Sequence, residues 1–148
     1  MKSVYIYLQD IENPIIFSAI KTSGKHYEGS YIDSFDKFLV DDGSEFNLDS
    51  GIFKAPTSGV FEFSATLQYT INQYRSFAQI AVLKNLVTQL EFYEYAEDNN
   101  NDNRGNLSFT WMLELKEGDE VRLKTITGEF VCQPGSVCTF NGKFIQGI

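Results

Sequence analysis

GSEFNLDSGIFKAPTSGVFEFSATL, residues 43–67, sets two short apolar pieces ahead of one long alternating run. Phe46 and Phe53 are large apolar bodies, and Gly51 and Ala55-Pro56 punctuate the chain around them. Pro56, which lacks a backbone donor, ends the short strand at Phe53. Ser58-Gly59 reads as a tight turn, because glycine accepts a positive φ without a Cβ clash. From there Val60, Glu62, Ser64 and Thr66 alternate with Phe61, Phe63, Ala65, Leu67 and Tyr69. A period of two predicts a strand with a buried aromatic face and a mostly polar outer one.

Outward from this strand the same pattern repeats. Ile15–Ile20 is a compact apolar strand, KTSGKHYEGS (21–30) a loop holding a solvated His26, and Tyr31–Val40 strand-like up to the Asp41-Asp42-Gly43 turn. Phe77–Lys84 and Thr88–Ala96 pair across Asn85. Residues 97–106, EDNNNDNRGN, have no apolar group to bury and read as loop. Leu107, Phe109, Trp111, Leu113 and Leu115 then face inward, and Glu120–Thr127 returns after a Lys116–Asp119 turn. A last hairpin pairs Phe130–Cys132 with Val137–Ile145. Turn signals every eight to twelve residues, no sustained 3.6 period and no repeat give an all-β sandwich. At 148 residues the length suits one domain.

A net charge of −8 repels phosphate backbones and anionic lipid, so nucleic acid is excluded as a partner and membrane adsorption disfavoured. No apolar run reaches the ~18–20 residues that span a bilayer, so no membrane insertion is expected. The run VYIYL after Lys2 falls short of the ~7–15 apolar residues of a signal peptide. Either a leader has been removed or the protein is cytosolic. Residues 1–13 read as a lead, ended by Asn13-Pro14, and 14–148 as the globular domain.

Cys132 and Cys138 flank QPGSV and can face each other across the terminal hairpin as a disulfide, which would indicate an oxidising compartment. Two independent buried thiols are the alternative. One histidine, no Walker loop and no dinucleotide fingerprint leave enzymatic readings without a motif. Glu97, Asp98, Asp102 and Asn103 supply the oxygen donors that calcium takes, making calcium a candidate ligand, or else they are solvated loop. Asn106-Leu107-Ser108 is a glycosylation sequon at a loop-to-strand boundary. Tyr69, Tyr74, Tyr93 and Tyr95, with Arg75 and Asn72, carry the chemistry of a sugar site, since aromatic faces stack on sugar C–H surfaces. The same tyrosines can instead close the sandwich rim or a subunit seam.

The spacing of Phe35, Asp41, Phe46, Phe53, Gly59, Phe61 and Phe63 resembles the complement C1q-like domain family. FSA (17–19), LKN (83–85), LKEGDEV (115–121) and TFNGKFI (139–145) follow in order, so the resemblance covers roughly residues 15–146. Phe61 stands where the family usually has Tyr, and Ala65 where it has a further aromatic; both stay apolar. The resemblance implies a ten-stranded jelly roll of the C1q and tumour-necrosis-factor kind, a homotrimer, and secretion. Relatives that bind calcium do so in the region of 97–106, although the acidic ligand of better-known calcium-binding heads falls near Gly105 or Asn106, neither a carboxylate. No Gly-X-Y stalk is present. The family supports three functions: a non-enzymatic, lectin-like head for carbohydrate or microbial surface ligands, assisted by calcium; a trimeric signalling ligand for a protein receptor; or an acidic calcium-binding matrix protein, a reading that rests on the charge and the Asn/Asp loop alone.

Overall fold

The structure, a computed structural model, describes residues 14–71, 77–95 and 104–148. They form two antiparallel sheets packed face to face. One contains β1 (Ile16–Lys21), β2 (Gly24–His26), β3 (Lys37–Asp42), β6 (Gly59–Thr70), β9 (Arg104–Leu115), β11 (Glu129–Cys132) and β12 (Cys138–Gly147). The other runs β4 (Phe46–Asn47), β5 (Ile52–Lys54), β10 (Glu120–Thr127), β7 (Phe77–Lys84) and β8 (Val87–Tyr95). Twelve strands stand among the described residues where ten were expected. Three of them, β2, β4 and β5, are only two or three residues long, too short to show a period.

The alternating run from Val60 is the spine of the larger sheet. β6 pairs with β9 along its whole length, from Gly59↔Leu115 to Thr70↔Arg104. Its other edge takes β12 and then, at Tyr69 and Thr70, β11. Phe61, Phe63, Ala65 and Leu67 are buried inward, as their period requires. They meet a layer of rings from both sheets: Phe17 stacks on Phe46 at 4.5 Å, Phe53 meets Phe63 edge-on at 5.3 Å, and Phe63 lies 5.5 Å from Trp111. Each fully buried Phe contributes about 1.5–3 kcal/mol of transfer free energy. Gly142 is required by this layer, because a Cβ there would stand 2.5 Å from Phe17 and 2.9 Å from Phe63.

Several local readings change. Segment 31–36 is not strand; only Lys37–Asp42 is, and Ser34 in between has φ 56°. The terminal hairpin does not form as a ladder. β11 and β12 lie end to end along one edge of β6, and β11 pairs instead with β2 through Cys132↔Gly24 and Phe130↔His26. A turn closed by Gln133 and Ser136 joins the two strands. Cys132 and Cys138 are disulfide-bonded across it, with Cα atoms 5.5 Å apart, so the bond clips the break between collinear strands. His26, expected in a solvated loop, is buried in β2 with Nδ1 4.0 Å from Asp33. Pairing with β11 pulls that segment onto the sheet, which no local pattern in KTSGKHYEGS announces.

Candidate ligand-binding face

The β7–β8 hairpin builds the first part of the site. Its turn is Asn85-Leu86, both at positive φ (51° and 68°), the geometry that matches the twist of paired strands. Asn85 fixes it: its amide donates to Asp119 Oδ1 at 2.9 Å and its Oδ1 accepts from Glu120 N at 2.9 Å. From the turn the register runs Ala81↔Glu91, Gln79↔Tyr93 and Phe77↔Tyr95. The intervening residues Ala78, Ile80 and Val82 belong to the core, so Phe77, Gln79, Glu91, Tyr93 and Tyr95 share the outer face.

Three rings gather at the end of that face. Phe77 lies 5.5 Å from Tyr95 and 6.2 Å from Tyr93, and the two tyrosines stand at 89° to each other, 5.5 Å apart. Tyr93 is 57% and Tyr95 62% exposed. Perpendicular rings give a floor and a wall, which accept the faces of a small ring-shaped ligand. Beside them Gln79 donates to Glu91 Oε2 at 2.8 Å and accepts from the Thr127 hydroxyl at 3.5 Å. Rings flanked by an oriented amide and a carboxylate combine apolar stacking with donors and acceptors for hydroxyl groups.

The face continues onto β10. Segment 29–32 runs alongside it, held by Gly29 N to Thr125 O (2.8 Å) and Ile32 N to Leu123 O (2.9 Å). This places Tyr31 opposite Lys124, and the Arg122 guanidinium lies 3.4 Å above the Tyr31 ring.

Of the residues expected to bind a ligand, the structure brings Tyr93 and Tyr95 together. Tyr69 is a correction: it is buried, edge-on to Phe130 at 6.4 Å, in the larger sheet. Its ring covers Gly105, where a Cβ would stand 2.4 Å from the hydroxyl, and burial followed by the charge of Glu94 raises its pKa. It offers no face to solvent. Asn72, Tyr74, Arg75, Glu97, Asp98, Asp102 and Asn103 lie outside the described residues. Among the described residues no three acidic, histidine or cysteine side chains are grouped to hold a metal. Asn106 is exposed, two residues inside β9 and not at a boundary. Gln79, Glu91, Tyr31, Arg122 and Lys124 were missed; a register counted outward from Asn85-Leu86, allowing the shift between Val82 and Leu83, would have placed the first two beside Tyr93.

Two antiparallel sheets packed over an aromatic core, one with an open outer face, make a jelly-roll binding module. The family model for the C1q domain matches residues 16–145, and the chain belongs to that family. Its structure is similar to the globular domain of a zebrafish complement 1qA protein, with TM-score 0.70, 18% identity, and coverage of 90% of this chain and 99% of that one. It is equally similar to the Eiger TNF of S. frugiperda, with TM-score 0.70, 12% identity, and coverage of 92% and 96%. At such identities the likeness is one of fold. A search of curated proteins gave no match. Members of the family are generally non-enzymatic binding modules that form trimers, and they are typically secreted or extracellular. No helix among the described residues is long and apolar enough to cross a membrane.

Proposed function

We propose that this chain is a secreted, non-enzymatic recognition head that binds carbohydrate on the outer face of its five-stranded sheet. The observation that carries the reading is the exposed Tyr93–Tyr95 pair against half-buried Phe77, beside the Gln79–Glu91 pair. Residues 14–148 are the head and 1–13 a lead. Asn72, Tyr74 and Arg75, just ahead of Phe77 in sequence, belong to the same proposal as further ligand-binding residues. A disulfide suits an oxidising compartment. The non-enzymatic reading is supported by His26, buried against Lys21 and Asp33, and by the oxidation of both cysteines.

The head acts as a homotrimer, and the opposite sheet suits the seam. Its outer face exposes Met112, and Ile16 and Val40 line a cleft of about 270 Å³ together with Ser18, Ser64 and Asn141. This division leaves the aromatic face free for ligand.

The test is a glycan and bacterial-polysaccharide array probed with wild type, Tyr93→Ala and Tyr95→Ala, with calcium and with chelator. Binding that falls about fivefold or more in either variant supports the reading, since one lost stacking contact is worth on the order of 1 kcal/mol. Binding only with calcium adds Glu97, Asp98, Asp102 and Asn103 as metal ligands. A silent array, together with saturable binding to cells, refutes it in favour of a TNF-like ligand for a protein receptor.

A further inference from the structure

Arg122 and Lys124 occupy an unusual position in a chain with 20 acidic residues against 12 basic ones. No carboxylate of a described residue forms an ion pair with either, and Glu120, the next residue on the same face of β10, does not bridge to Arg122. The guanidinium is placed by a ring and not by acceptors. It lies 3.4 Å from the Tyr31 centroid, Nη2 reaches the Ser50 carbonyl only at 3.5 Å, and Nε has no acceptor at all. Lys124 Nζ stands 5.7 Å from the same ring. Stacking occupies the face of the guanidinium, and with Nε buried it is the Nη groups that remain to donate to a planar or tetrahedral oxyanion.

We propose that Tyr31, Arg122 and Lys124 form a subsite for a single anionic group, a carboxylate or sulfate, carried by the ligand. Charge argues for one group only. The net −8 repels a polyanion such as nucleic acid, whereas one anionic substituent meets two local cations with a favourable balance. Position ties the subsite to the rings. Lys124 pairs with Ala81, and Ala81 with Glu91, so two strand spacings, about 10 Å, separate the Lys124 and Glu91 backbones. Tyr93 lies two residues beyond Glu91, about 12 Å from Lys124 by backbone, which a disaccharide-sized ligand spans with its ring on Tyr93 and its acid at Lys124. Arg122, level with Leu83, stands about 17 Å from Tyr93 and meets the acid from the far side. Selection of an acidic sugar rests on the carbohydrate reading above; the anion subsite itself does not.

Two measurements separate these. The side-chain Nε–H signal of Arg122 is followed by NMR while inorganic sulfate is added at constant ionic strength against chloride. In parallel, lactose 3′-sulfate and lactose are compared for binding to wild type, Arg122→Gln and Lys124→Gln, each checked for an unchanged fold. The expected result is a saturable sulfate shift, lactose 3′-sulfate binding about tenfold more tightly than lactose, and loss of that preference in both variants. A sulfate shift without binding of either sugar sustains the subsite and removes the carbohydrate reading. Equal binding of the two sugars with no sulfate response beyond chloride overturns the subsite and leaves the carbohydrate reading standing. No sulfate response and no sugar binding overturns both.

Discussion

Reducing the Cys132–Cys138 disulfide tests how the larger sheet is fastened. The bond closes a sequence separation of six. For so short a loop the chain-closure relation gives about 2.2 kcal/mol of destabilisation at 25 °C. At two to four degrees per kcal/mol, a domain of this size would melt about 4–9 °C lower. Reduction is the cleaner perturbation, because it keeps both buried sulfurs; Cys132→Ala with Cys138→Ala also empties their packing space. The assay is urea unfolding of oxidised and reduced protein under otherwise equal conditions. The midpoint should fall, and the slope should hold or rise slightly as the unfolded chain opens. A reduced protein within about 0.5 kcal/mol of the oxidised one would refute the closure argument, and a loss beyond about 5 kcal/mol would show that the bond acts through native packing instead.

Gly142→Ala should cost about 1–3 kcal/mol in the same assay, because its Cβ would meet two buried Phe rings that have no free direction to move. Asn85→Ala should lower stability by about 1–2 kcal/mol, through lost bonds to Asp119 and Glu120 and a strained positive φ. The same Asn85 bond is the main cause that lowers the Asp119 pKa, so its stabilisation is present above the unfolded carboxylate pKa and is lost as pH falls through the folded one. Acid titration of Asn85→Ala should therefore show a shallower loss below about pH 4. His26 has a lowered pKa, first from burial and then from Lys21, so its contribution is complete above the unfolded value near 6.5 and declines as pH falls below it. Melting temperatures of His26→Gln and wild type should converge between about pH 7.5 and 5, and parallel curves would refute that account.

The spine strand and its partners were legible because period-two alternation is imposed by the pleat: Phe61 through Tyr69 and Leu107 through Leu115 read directly as buried faces. Tyr69 shows where that reading stops. Its parity assigned it inward, and the structure agrees, yet its place near a strand end suggested a rim. Only the cross-strand partner Gly105, leaving room for the ring, explains the burial. His26 failed for a related reason, since a three-residue strand carries no period and owes its place to a partner more than a hundred residues on. The ligand face was half visible. Tyr93 and Tyr95 stand out by composition, whereas Gln79, Tyr31 and Arg122 join them only through register and through the path of segment 29–32.

β12 lies between β1 and β6 at the centre of the larger sheet, and it is synthesised after every other described strand. Until it arrives, β1 and the facing edge of β6 present open rows of backbone donors and acceptors beside a half-built aromatic core. The nascent chain is therefore exposed to edge-to-edge association for most of its synthesis. Its assembly is a single late insertion joining residues far apart in sequence, the kind of non-local pairing that slows folding.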